Sequence, residues 1–203
     1  DGDDWILNGS KTYISNGING GAFVVAARTV PDKAHGIGLF VVEEGMEGFS
    51  RGRNLAKMGL KAQDTAELFF ENVRIPAENV LGDPQKGFYS LMHFLAEERL
   101  ISASQAVAHG QIAFDLTMDY ILERKAFGKP IGAFQNSRFK MAEMRTELDV
   151  TQTFVDQCVM MHLKGELSAD LAAEAKYYAT EVESRVMDNC VQLHGGAGYM
   201  SEY

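Results

Sequence analysis

The sequence predicts an α+β fold, an antiparallel β domain followed by an up-down helical bundle. Three observations carry this. Residues 65–75 alternate with period two, with Ala66, Leu68 and Phe70 set against Glu67 and Glu71. From about Gly87 the apolar period becomes helical. Glycines and Pro31 punctuate the first part, and Pro76 ends it. The boundary falls between a β domain over residues 1–82 and a helical domain over 83–203.

In order, Trp5-Ile6-Leu7 and Thr12-Tyr13-Ile14 flank Asn8-Gly9, a pair that favours positive φ and signals a hairpin. Further strands run over 22–29, 36–43 and 65–75. Asp83-Pro84 opens the first helix, Asp as N-cap and Pro at the first helical position, and the helix runs to about Glu123 with a bend at Gly110. A loop follows over 124–130. The second helix buries the stripe Met141, Met144, Leu148, Val155, Cys158 and His162. The third starts near Ser168, carries Leu171, Ala175, Val182, Val186 and Leu193, and stops at Gly195-Gly196. Three long helices with short loops make a bundle that lacks a fourth.

Composition narrows the function. Charged residues make up 23% and hydrophobic residues 46%, ordinary for a globular chain. A net charge of -9 argues against nucleic acid as a partner, because such binders present a basic face. The apolar runs are too short for a transmembrane segment. Cys158 and Cys190 fall in helical patterns and suit small core positions in a reduced compartment. No metal-ligand spacing is present. The chain starts at Asp1 almost directly in strand-forming sequence, which suggests a fragment.

Two carboxylates stand out. Glu97 and Glu98 interrupt an apolar turn between Phe94-Leu95 and Leu100-Ile101. One of them is expected to face the apolar side, where desolvation would raise its pKa toward that of a general base. The pair is equally readable as two surface charges, one pairing with Arg99, and periodicity does not choose between the glutamates. Gln192-Leu193-His194-Gly195-Gly196 reads as a glycine-capped helix end, or as backbone bared for a cofactor. Arg124 suits a phosphate, since its guanidinium offers paired donors; the loop around it reads equally as a plain connector.

These motifs occur together in an order that resembles the acyl-CoA dehydrogenase family. Residues 5–17, Trp-Ile-Leu-Asn-Gly-Ser-Lys-Thr-Tyr-Ile-Ser-Asn-Gly, resemble its flavin-side hairpin. Residues 57–70 are similar to the segment ending its β domain. Arg124 through Gln135 is similar to its flavin-diphosphate loop, and residues 192–199 to its late glycine turn. Lys57 to Phe70 and Glu98-Arg99-Leu100 place the likeness nearest the long-chain branch.

The resemblance implies a middle β domain and an incomplete C-terminal bundle, with the N-terminal helical domain missing. It implies FAD as cofactor and α,β-dehydrogenation of an acyl-CoA substrate, long-chain or branched, in fatty-acid β-oxidation. In the long-chain and isovaleryl branches the base sits just before an arginine on the first bundle helix; here that residue is Glu98, and the match disfavours Glu97. Tyr13, Ile14 and Ser15 match the residues covering the flavin ring. Arg124 and Gln135 match positions that hold the diphosphate and adenine end from a neighbouring subunit, which implies a homo-oligomer, a tetramer. Gln192, Leu193, His194, Gly195 and Gly196 match the turn that closes on the cofactor. Tyr89, Ala96, Glu97 and Arg99 match acyl-CoA contacts. Electron-transfer flavoprotein is the implied electron acceptor, and the cytoplasm of a bacterium or the mitochondrial matrix the implied compartment. An acyl-CoA oxidase, or a non-catalytic assembly relative, is the alternative; a scaffold has no need of Glu98.

Overall fold

The computed structural model describes residues 2–202. The chain divides into two compact units, one up to His93 and one from Phe94 onward.

In the first unit, β1 (Trp5–Ser15), β5 (Thr65–Ile75) and the short β4 (Phe49–Arg51) form an antiparallel sheet in the order β1-β5-β4. A second sheet pairs β2 (Ala22–Arg28) with β3 (Ile37–Glu43). The inward residues of both sheets meet in one core that includes Val25, Phe40, Val42, Leu68, Phe70 and Val73. Burying such β-branched and aromatic side chains is the dominant stabilising term. β5 matches the expected strand. β4, only three residues long, is too short to show a period.

Asn8-Gly9 does not turn the chain. β1 is a single strand of 11 residues, and the pair sits at a register shift against β5 between Leu7 and Gly9. The sequence signal was real but incomplete, because a partner strand can absorb the irregularity that a hairpin would otherwise use. Asn8 exchanges hydrogen bonds with Asn72: its Nδ2 donates to Asn72 Oδ1 (3.1 Å) and its Oδ1 accepts from the Asn72 N–H (2.8 Å). Gly9 has φ 141° and Asn72 opposite the shift has φ 53°. A second shift, between Lys11 and Ile14, puts an extra residue into β1.

The second unit is helical. α1 (Gly87–Glu123), whose first turns belong to the first unit, is followed by α2 (Gln135–Leu163) and α3 (Ala169–His194). A two-stranded hairpin, β6 (Lys125–Ala126) and β7 (Lys129–Pro130), joins α1 to α2. Asp83 caps a turn before α1 by accepting from the Gln85 N–H (2.8 Å), so it is not the helix N-cap. Ser168 does cap α3, accepting from the Leu171 N–H (3.2 Å). Small residues fill one helical core, where Ala103, Ala106, Ala175 and Ala179 are buried beside Val155 and Cys158, while a second packs Phe114, Ile121, Met144 and Leu148. A Cβ on Gly110 would lie 2.9 Å from Leu148 Cδ2, so glycine permits that close approach. His162 is exposed and leaves the expected stripe, whereas Thr151 joins it with its hydroxyl bonded to the Glu147 carbonyl (2.6 Å). Both cysteines are buried and free; burial pushes both thiols up, Glu174 adding to the effect at Cys158 and a Thr117 hydrogen bond opposing it at Cys190. Among the described residues no helix is long and apolar enough to cross a membrane.

Candidate functional site

In the first unit the irregular end of β1 presents Tyr13. The ladder with β5 runs from Lys11↔Leu68 to Ile14↔Ala66 and passes over Thr12 and Tyr13. Tyr13 adopts φ 59° and is 77% exposed. A bulky residue in that region costs about 1–3 kcal/mol and persists only where its surroundings hold it. Ile14 points into the core and Ser15, opposite Thr65, is exposed. The bulge therefore turns an aromatic ring and a hydroxyl outward from a rigid sheet. Tyr89 is exposed too; it meets Phe88 edge-on at 5.7 Å, and His35 lies tilted against Phe88 at 4.3 Å.

In the second unit, Ala96 and Arg99 on α1 are half-buried and Glu97 and Glu98 are both exposed. The expectation that one of the two glutamates is desolvated is corrected here. Phe94 and Ile101, the apolar neighbours that were to shield it, are themselves exposed. The Glu98 carbonyl accepts from the Ser102 hydroxyl (3.0 Å), and its carboxylate faces solvent in this unit.

Arg124, Gln135 and Gln192 to Gly196 gather at one end of the three helices. The Arg124 N–H donates to the Tyr120 carbonyl (2.9 Å) and its carbonyl accepts from Ile131 (2.8 Å). Tyr120 stacks on His194 with ring centres 4.2 Å apart and planes 17° apart, and its hydroxyl donates to the His194 carbonyl (3.3 Å). His194 Nδ1 lies 2.9 Å from the Cys190 carbonyl. Gly195 ends α3 with φ 59° and ψ -134°, a conformation that suits only glycine. A Cβ at Gly195 or Gly196 would meet nothing within 4 Å, so their backbone is open to a ligand. An apolar pocket of about 370 Å³ lies beside this corner, lined by Leu116, Tyr120, Val191 and His194 among others.

Phe127 falls within the loop expected over 124–130. In the structure it occupies the hairpin tip with Gly128, both at positive φ (51° and 79°), and is 97% exposed. Asn or Gly is the usual choice there. An aromatic ring at an otherwise Asn-Gly position was the signal that could have singled it out.

The donors of each unit, taken separately, suit a part of a flavin dinucleotide. Gln135 opens α2, whose first turn has no acidic residue and whose N-cap, Phe134, supplies no side-chain cap. The free amides of such an N-terminus favour an anion, and Arg124, Lys125 and Lys129 stand in the adjoining loop. The ring and hydroxyl at Tyr13 and Ser15 suit a flat heteroaromatic system.

The family model for the acyl-CoA dehydrogenase middle domain matches residues 1–73, and that for the acyl-CoA dehydrogenase C-terminal domain matches residues 85–203. The chain belongs to the acyl-CoA dehydrogenase family. It is 51% identical over 206 residues to the mitochondrial long-chain specific acyl-CoA dehydrogenase of Sus scrofa, across 100% of this chain and 48% of that protein. The acyl-CoA dehydrogenase of Geobacillus kaustophilus superposes with a TM-score of 0.97 at 47% identity, covering 100% of this chain and 54% of that one. A glutaryl-CoA dehydrogenase from Mycobacterium smegmatis, solved in complex with FADH2, superposes with a TM-score of 0.92 at 28% identity, covering 100% and 51%. The chain spans about half the length of the curated relatives it matches.

Proposed function

We propose that this chain carries the flavin- and substrate-facing parts of an FAD-dependent acyl-CoA dehydrogenase acting on long or branched acyl thioesters, with its domain boundary at residues 82 and 83. The observation that supports this most is Glu98, directly before Arg99 on α1, in a chain whose two parts match the two family domains. Glu98 takes the α-proton of the thioester. FAD supplies, when bound, the acceptor for the β-hydrogen as hydride. Tyr13, Ile14 and Ser15 cover the ring, while Gln192 to Gly196 close on the cofactor. Arg124 and Gln135 hold the diphosphate and adenine end of a neighbouring copy's flavin, within a homotetramer. Tyr89, Ala96, Glu97 and Arg99 contact the acyl-CoA. An acyl chain laid against Phe94, Leu95 and Ile101 would exclude water around Glu98, which strengthens a carboxylate base. Electron-transfer flavoprotein is the acceptor, in a bacterial cytoplasm or a mitochondrial matrix.

The test is anaerobic flavin bleaching by acyl-CoA in the natural full-length protein. Glu98→Gln keeps the shape and removes the proton acceptor, so it lowers the bleaching rate by about 10²–10⁴-fold while FAD content and acyl-CoA binding hold. Glu97→Gln changes the rate only modestly. Near wild-type bleaching by Glu98→Gln would sink the assignment of the base.

A further inference from the structure

The turn that follows the β1 bulge is gripped from both sides by buried or half-buried charge. On its donor side, the Asp64 carboxylate accepts from the Ile18 N–H (2.6 Å) and from Asn19 Nδ2 (3.0 Å). The Asp64 main-chain carbonyl accepts from the Asn16 N–H (3.2 Å). On its acceptor side, Arg51 donates through Nη1 to the Ile18 carbonyl (2.8 Å) and through Nη2 to the Gly20 carbonyl (2.6 Å). Glu44 Oε1 anchors the same guanidinium at 3.0 Å, and the guanidinium lies 5.7 Å from the centre of the Phe23 ring. Glycine is required twice in the turn: a Cβ on Gly17 would lie 2.9 Å from the Ile14 carbonyl oxygen, and one on Gly20 would lie 2.7 Å from that of Asn16.

This is more specification than a corner between two sheets needs. Asp64 is buried, and a buried carboxylate is tolerated only when donors surround it. Here the carboxylate takes the Ile18 N–H and Asn19 Nδ2, and the Asp64 carbonyl takes the Asn16 N–H, all from the stretch immediately beyond Ser15. Tyr13, three residues before Asn16, is held at a positive φ with its ring turned to solvent. The clamp thus fixes the backbone directly after the strained residue, next to the Ile14↔Ala66 and Ser15↔Thr65 pairs that resume the ladder.

We infer that Asp64, with Arg51 opposite it, is a positioning residue that presets Tyr13–Ser15 for the flavin ring; this rests on the flavin reading proposed above. A binding constellation must be held within about 0.5 Å by supporting hydrogen bonds to keep its affinity. Asp64 is buried and bonded to the turn, and acts through it.

The experiment titrates apo-forms of the natural full-length protein with FAD, following flavin fluorescence and the visible circular dichroism of the bound flavin. Asp64→Ala raises the FAD dissociation constant at least about tenfold, the scale set by losing hydrogen bonds to a charged acceptor, and changes the visible dichroism. Asn19→Ala removes one donor to the same carboxylate and shifts both readouts the same way by less. It decides the matter alone if Asp64→Ala fails to fold. Val73→Ala, in the same core but with no bond to the turn, lowers the melting temperature and leaves both readouts unchanged. The clamp is overturned if wild type binds FAD and the Asp64 and Asn19 variants match it, or if Val73→Ala perturbs the flavin as much as Asp64→Ala. A wild-type protein that takes up no FAD overturns the flavin reading itself, and this inference with it.

Discussion

Tyr13 and Phe127 are both exposed aromatic residues held at positive φ, yet the two units support them in different ways. Tyr13 sits in a bulge of an 11-residue strand, followed by Ile14 in the core and by the Asp64–Arg51 clamp. Phe127 sits on a tip held by four strand residues, by the Arg124–Ile131 bond, and by an edge-on contact with Phe134 at 6.4 Å. The same strain is therefore cooperative in one unit and local in the other. Disturbing Tyr13 means disturbing a sheet; disturbing Phe127 means disturbing a loop.

The largest effect should come from the sheet. Leu68 pairs with Lys11 at the edge of the bulge and is 1% exposed. Leu68→Ala is expected to cost about 2–5 kcal/mol, by the lost transfer energy and the cavity left behind. Urea denaturation measures it. A loss well under that range would mean that the sheet does not support the bulge cooperatively. Next comes the end of α3, where Gly195→Ala forces a Cβ into a conformation that only glycine adopts freely. The expected cost is about 1–3 kcal/mol, read from the same urea denaturation, and unchanged stability would show that the helix end can re-form elsewhere.

Phe127 predicts the opposite sign. Phe127→Asn relieves the left-handed strain and should stabilise the protein by about 1 kcal/mol, while FAD affinity falls if the tip meets a cofactor. Both quantities come from thermal melts with and without FAD. A variant that gains stability with no loss of affinity would leave the tip without a binding role.

The sequence made the elements legible and their partners illegible. Thr65–Ile75 and Ala169–His194 follow from period and capping, because those signals are local. Asn8-Gly9 misled, because whether such a pair turns the chain depends on Asn72, 64 residues away. The site divides in the same way. Tyr13 to Ser15, Arg124 and Gln192 to Gly196 are singled out as candidates by the order of motifs, not by any period. The burial expected for Glu97 or Glu98 was not found, because shielding depends on what covers Phe94 and Ile101, and a single helix does not encode that. Asp64 lies within the 57–70 motif, where the sequence gives it no role of its own. A lone aspartate before a strand carries no pattern until the turn folds over it.

The smallest expected effect tests the clamp through protons alone. The Ile18 N–H, ahead of the Asn19 bonds, holds the Asp64 carboxyl below its ordinary value of 3.8 against the opposing cost of burial. A carboxyl depressed in the folded state binds protons more weakly there than in the unfolded chain. Its contribution to stability is therefore complete above the unfolded pKa, declines as the pH drops below it, and is lost once the pH falls through the lower folded value. Asp64→Asn removes that proton linkage and keeps the shape. The stability gap between wild type and variant should be constant from neutral pH down to about 5 and narrow below about 4. Other carboxylates titrate in the same window, but they do so in both proteins and cancel in the difference. Urea midpoints at pH 7 and pH 3 suffice. A gap of the same size at both would mean that Asp64 is not held ionised by the turn, and that the turn is shaped by its glycines and Arg51 instead.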